Sequence, residues 1–449
     1  MNALMRARAS AATAIAALLL APAIAASPAA PALPSQSRDS SVGVVNCASS
    51  LCHGSITPWK ESGVLRNEYV TWSRLDKHAL AYGVLLGERS KRIAANFGLR
   101  VPAQQSSQCL DCHAHNVPSS QRGPRFKLSD GVTCEACHGP AGRWAASHVE
   151  EGASHADNLR HGLYPAEDNL QRARLCLSCH LGNRDKLVNH RLMAAGHPRL
   201  SFELETFSQI EPSHYRVDAD YLQRKPGSNG VKTWAIGQSL AVEQMMDLLL
   251  DPKRGHDGLF PELVLFDCHA CHHPMSRRQW QPRRAFAGAP GNGVVRLNDS
   301  GMLMLRAIAA QLDPALGAKV SRQVVALQRA AAGDGNASVQ ARALKRLATD
   351  VATRVQVQAF SDSALRGIAL ALVDDGLAGN YSDYAGAEQA AMAIGSVVSV
   401  IHREGGLGAA GPLNAGLGRL NASLADDENY RPALFRQRLR EFRALLVRR

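Results

Sequence analysis

Ten cysteines fall in five pairs, Cys47/Cys52, Cys109/Cys112, Cys134/Cys137, Cys176/Cys179 and Cys268/Cys271. Each pair is followed at once by a histidine: His53, His113, His138, His180 and His272. A disulfide has no need of that histidine, and structural zinc takes Cys-x-x-Cys pairs two at a time, which leaves one pair of five over. The chemistry that uses both thiols and the imidazole is attachment of c-type haem. The thiols add across the two vinyl groups, and the histidine ligates the iron from below. Four motifs have two intervening residues, a spacing that places both sulfurs on one face of a helical turn. The first, Cys47-Ala-Ser-Ser-Leu-Cys52-His53, has four. A looser loop can still present both sulfurs; without haem, Cys47 and Cys52 would be left to pair with each other. The expectation is five covalent haems.

Each iron has a sixth position. Seventeen histidines less the five proximal ones leave twelve for five distal places. His78 lies in a stretch from about Asn67 to Arg92 that reads as helical, with Trp72, Leu75, Ala79, Tyr82 and Leu86 on one buried face. His148 is the next imidazole after the Gly139-Pro140 turn. His190 and His197 are seven apart, two turns along one helix face, with Pro198 ending the helix at His197. They would tie two haems to one support. His214 sits in a loop of Ser, Pro and Asp and completes the candidate distal set. His115 reads as a polar loop residue, and His155 and His161 as solvated ones. Among the neighbours His269, His272 and His273, position in the motif favours His272 as the proximal ligand.

The elements that must position these residues are mostly α, with little regular sheet. A helix from about Thr233 to Leu250 is expected to pack over the haems through Trp234, Ile236, Leu240 and Met245. Beyond about Gly291 there is no cysteine and one histidine, His402. Leu344/Leu347/Val351/Val355, Leu365/Ile368/Leu372 and Phe435/Leu439/Phe442/Leu446 form helical stripes separated by breaks at 333–336, 376–381 and 405–412. The organisation read from this is a signal peptide over 1–26, a flexible linker over 27–43, a pentahaem domain over 44–290 and a haem-free helical bundle over 291–449. The N-terminal segment has Arg6 and Arg8, an apolar run and the small-residue ending Ala23-Ile24-Ala25 of a cleaved secretory signal. A periplasmic location is therefore expected. The longest later apolar run, Ala390 to Ile401, is twelve residues and too short to span a bilayer.

The net charge of +12 would usually raise nucleic-acid binding, which an exported chain has little occasion for. Haem propionates are another sink for the excess, and Arg and Lys are good partners for them. Any remainder can steer acidic redox partners.

The motifs and their surroundings resemble the cytochrome c-554-like multihaem cytochromes, relatives of hydroxylamine oxidoreductase and ammonia-forming nitrite reductase. The resemblance spans roughly residues 44 to 280. It rests on the haem motifs, the WSRLDKHA segment, GVTCEACHGP followed by His148, and AAGHPRLSFEL. It implies a mostly helical protein with haems in close parallel or perpendicular pairs. It also implies that His78, His148, His190 and His197 are distal ligands by position, and says nothing of His214. The chain departs from the nitrite reductases in having no motif that ends in Lys. Neither Tyr215 nor Tyr221 can be assigned the cross-linked tyrosine of hydroxylamine oxidoreductase. No catalytic residue is carried over.

The reading that follows is a periplasmic electron-transfer cytochrome with mostly bis-His irons and redox proteins as donor and acceptor. The alternative is a multihaem oxidoreductase with one open haem acting on a small nitrogen or sulfur compound. A third reading has the C-terminal bundle dock to a partner such as a membrane complex.

Overall fold

The computed structural model describes residues 31–60, 63–225, 227, 229–257, 260–273, 283–291, 293–403 and 410–447. The signal segment, part of the linker and Pro274 lie outside them. Residues from Ala32 onward form one compact, mostly α-helical unit. The only ladder among the described residues pairs His256–Asp257 with Phe260–Pro261, antiparallel.

The core is built around the Gly230–Leu250 helix. Val231, Trp234, Ile236, Leu240, Met246 and Leu248 are all buried, on every side of the cylinder. A helix apolar all round belongs in the middle of a structure. Asn229 starts it by accepting from the Lys232 amide, which satisfies one of the N–H groups a helix leaves open at its start. It packs against Ala337–Val357, Ser300–Leu312 and Tyr384–Arg403 from the C-terminal third. On its other sides lie Asn169–His180 and Leu204–Ile210. The expected packing residues Trp234, Ile236 and Leu240 are buried, and Met245 is half-buried. The helix thus belongs to the same core as the C-terminal helices.

All three C-terminal stripes are buried: Leu344/Leu347/Val351/Val355, Leu365/Ile368/Leu372 and Phe435/Leu439/Phe442/Leu446. Asp313 with Pro314 at the first helical position turns Ser300–Leu312 into Pro314–Ala331. Asn336 and Ser361 cap Ala337–Val357 and Asp362–Leu377. The apolar run at Ala390–Ile401 proves to be part of a longer helix, Tyr384–Arg403. This helix is long and apolar enough to cross a membrane by composition, and most of it is buried in the core. A central core helix passes the same test.

Two helical expectations are corrected. The stretch from Asn67 to Arg92 is not one helix. The first helix, Glu68–Leu75, stops at Asp76, whose carboxylate accepts from the His78 amide and starts a separate turn over Lys77–Leu80. A side-chain acceptor here offers the backbone an alternative to the helix ladder. The restart rotates the register: Leu75 and Leu86 are 67 % and 49 % exposed, and Leu85 is the buried residue. The second helix, His190–Ala194, ends short of His197 because Gly196 turns the chain with φ 112°.

The first half of the chain has little apolar core of its own. Leu85, Ala94, Ala103, Leu110 and Ala114 make one small cluster, while the main core is almost wholly C-terminal to Ala173.

Candidate haem-binding sites

Three motifs lie on helices: Ser107–His113, Cys134–His138 and the end of Asn169–His180. The fifth lies on a tight turn, Cys268–Ala270, and the first on a turn after Val44–Asn46. None of the ten cysteines is in a disulfide, Cys47 and Cys52 included.

Each of the five motif histidines has one of the candidate distal histidines opposite it. Ring centres are 6.3 Å apart for His53 and His148 (site 1) and 6.4 Å for His113 and His197 (site 2). They are 6.1 Å apart for His138 and His214 (site 3) and for His78 and His180 (site 4). At site 5, His190 and His272 are 6.2 Å apart. The narrow spread has a simple meaning. A metal–imidazole bond of about 2 Å, with about 1.1 Å from nitrogen to ring centre, on both sides of one iron, gives roughly 6.2 Å. Direct stacking of two rings would bring the centres closer, as the 4.5 Å of His180 and Phe202 shows. His214, on which the resemblance was silent, is opposed to His138. His190 and His197 face different partners, though not along one helix.

The outer ring nitrogens are held as well. His113, His148 and His197 place Nδ1 on the carbonyls of Ala81, Ala145 and Pro198, at 3.0, 2.7 and 2.8 Å. His53 and His78 place Nδ1 on carboxylates, Glu68 and Asp76, both at 3.0 Å. An outer N–H fixed on an acceptor sets the tautomer and leaves Nε2 for a metal. Burial pushes His138 down to about 4 and also lowers His180 and His197, which keeps these rings neutral as ligation requires. The hydrogen bonds to Glu68 and Asp76 instead raise His53 and His78.

The sites adjoin one another. The thiols of Cys47 and Cys134 lie beside one another, as do those of Cys112 and Cys179. Cys137 lies within electrostatic reach of Cys176 and Cys179. Lys186 clips sites 2 and 4 together, donating to the Asp111 carbonyl and the Cys179 sulfur, each at 2.8 Å. Glu135, inside the third motif and buried, accepts from the amides of Val42, Gly43 and Ala141 at 2.8 Å each. It thereby ties the chain leading into site 1 to site 3.

The C-terminal helices brace the sites from behind. Arg174, on the site 4 helix, donates to Glu243, which also accepts from Thr349. Arg199, two residues past His197, forks onto Glu388 with both contacts at 3.1 Å. Asp267, just before Cys268, pairs with Arg296 in a buried cluster with Arg283, Asp299 and Asp383.

These surroundings suit a large planar apolar group with acidic edges. Among the described residues, fifteen of the twenty exposed large hydrophobic side chains fall between Val45 and Leu222, where apolar faces are available to cover a macrocycle. Trp144 Nε1 and Arg172 Nε are buried donors without a partner among the described residues, of the kind a propionate takes.

Residues 45–139 match the family model described as cytochrome c554 and c-prime. The match supports a c-type cytochrome. It runs across the first three motifs and carries with it covalently bound haem c and a part in electron transfer. No curated protein and no solved structure matches the chain.

Other histidines differ from expectation. His115 lies in a loop, as expected, but is buried there with Nε2 2.8 Å from Ser41 Oγ. His155 is half-buried on Glu167. His161 is exposed beside Ser147, as expected. Glu68, Asp76, Glu135 and Lys186 were not singled out from the sequence. Only Asp76, two residues before a candidate ligand, left a local signal.

Proposed function

We propose that the protein is a periplasmic pentahaem c-type cytochrome that relays electrons between redox partners, with each iron held between two imidazoles. The observation that carries this is the set of five histidine pairs at one common spacing, each joining a motif histidine to a different second histidine. Bound haem c supplies one-electron iron chemistry; the chain fixes its position and tunes it. The ten cysteines anchor the groups. The distal histidines occupy the sixth positions, which leaves no place for a small substrate and favours transfer over catalysis.

Neighbouring cysteines support a route. Site 1 adjoins site 3 through Cys47 and Cys134, site 3 adjoins site 4 through Cys137 and Cys176, and site 4 adjoins site 2 through Cys179 and Cys112. Site 5 shares the His190–His197 segment with site 2. The end sites contain the two exposed cysteines, Cys52 and Cys271, and would meet donor and acceptor proteins. Export rests on the N-terminal signal pattern, and kinship with the hydroxylamine oxidoreductase superfamily on the motif surroundings.

Electron paramagnetic resonance of the oxidised, mature protein tests the reading, with intact mass to count haems. The expected result is five attached haems and low-spin ferric signals only, unchanged by nitrite, hydroxylamine or carbon monoxide. His214→Ala should convert one iron in five to high spin. A stoichiometric high-spin iron in the natural protein would overturn the carrier reading in favour of an oxidoreductase.

A further inference from the structure

We infer that two carboxylates, Glu68 and Asp76, hold the irons at sites 1 and 4 at lower reduction potentials than the other three. The inference rests on the bis-His reading above. Among the described residues, only His53 and His78 of the ten paired histidines place a ring nitrogen on a carboxylate. Three others use backbone carbonyls. An ionised acceptor draws the outer proton toward itself and loads negative charge onto the ring. That charge favours ferric over ferrous iron, so the potential falls.

Both carboxylates are built into the fold. Glu68 Oε2 accepts from His53 while Oε1 accepts from the Arg66 amide at 3.1 Å. Asp76 is buried, and its Oδ1 accepts from both the ring and the amide of His78. Site 4 has a second negative neighbour, because Glu211 lies with Asp76 and His78 in one cluster.

The placement has a consequence for the route. Each pair of sites that adjoins through cysteines joins unlike members: site 1 with a carboxylate beside site 3 without one, and site 4 with a carboxylate beside sites 3 and 2 without one. An electron arriving at any of these pairs rests on the member without the carboxylate. Glu68 and Asp76 act through the histidines, so they are positioning residues and touch no reacting atom.

The test is optical redox titration of the full-length holoprotein and of Glu68→Gln, Asp76→Asn and Glu167→Gln. The amides are isosteric and still accept, so the caps on Arg66 and His78 survive. Glu167 sits on His155 and within electrostatic reach of His138 at site 3, so it controls for loss of a negative charge near a site whose rings meet no carboxylate. Haem content and spin state are measured on the same samples. Glu68→Gln and Asp76→Asn should each move one fifth of the absorbance change to higher potential, from the low end of the titration. The other four fifths should stay in place, and Glu167→Gln should leave the low-potential waves of sites 1 and 4 in place. Unmoved waves in low-spin, five-haem variants would overturn the tuning alone. So would a uniform shift shared by all three variants. A high-spin iron in the unsubstituted protein would instead overturn the bis-His reading.

Discussion

The buried ion cluster behind site 5 sets two aspartates against each other. Arg283 is 2 % exposed and donates to Asp299, Asp383 and the Asn380 carbonyl. Arg296 donates to Asp267 at 2.6 Å and Asp383 at 2.7 Å. Three carboxylates face two guanidinium groups, an excess of one negative charge. Burial alone would raise Asp383, yet Arg283 and Arg296 hold it below the usual range; burial and the Asp383 charge raise Asp267. A depressed carboxyl contributes stability that is full above its unfolded value, near 3.8, and lost as pH falls through the folded value. A raised one contributes stability that is full below 3.8 and lost as pH rises through the folded value. Asp383→Asn should therefore cost about 3–5 kcal/mol at pH 7, because both arginines lose a shared buried partner. Asp267→Asn should change stability by no more than about 1 kcal/mol. It relieves the charge excess and keeps an acceptor for the His269 amide. Thermal and guanidinium unfolding, followed by far-ultraviolet dichroism at pH 7 and pH 4, measures both. The gap between the variants should narrow at pH 4. Equal losses, or a larger loss for Asp267→Asn, would refute this account of the charges.

Removing residues 291–449 should abolish a soluble holoprotein. The Gly230–Leu250 helix would lose the cover over Trp234, Ile236, Leu240, Met246 and Leu248, and at about 1.5–3 kcal/mol per side chain that is on the order of 10 kcal/mol. Gel filtration and haem spectra decide it: a monomer with five haems and unchanged spectra would show the bundle to be a docking module. Gly139→Ala should lower occupancy at site 3 and cost about 1–3 kcal/mol, read by intact mass and thermal melting. Gly139 has φ 86°, and an added Cβ would lie 2.7 Å from the Gly162 carbonyl.

The sequence made the covalent chemistry legible because attachment needs fixed spacing, and five Cys/His motifs leave no cysteine over. Distal partners are not bound by spacing. His148, His190 and His197 stand near turns and a motif, so their positions could be read. His214 sits in a featureless loop, and only the fold brings it to His138. The helical stripes after residue 340 were legible because burial on one side imposes a period. The same rule failed over Asn67–Arg92, where Leu75 and Leu86 have the right spacing without being buried. Apolar residues that flank a haem motif can face the cofactor in place of a protein core, and the period alone does not separate the two uses. Glu68 illustrates a further limit, since its place on the outer nitrogen of His53 depends on a hydrogen bond between residues fifteen apart in the chain.

The division of labour within the core explains why a haem-free third is joined to a motif-rich half. Five small and medium side chains, Leu85 and Leu110 among them, cannot hold five Cys/His motifs and the histidines opposite them in register. Short helices of five to seven residues, such as Cys134–His138 and His190–Ala194, are too short to be stable by themselves. Their rigidity must come from elsewhere. Arg174–Glu243–Thr349, Arg199–Glu388 and Asp267–Arg296 each run from a site-bearing segment into the large C-terminal core. Sites 4, 2 and 5 are thereby referenced to one scaffold, whereas site 1 is held through Glu135 to site 3. The end of the proposed relay at Cys47 and Cys52 is then the less constrained one, and the end at Cys268 and Cys271 is fixed to the bundle.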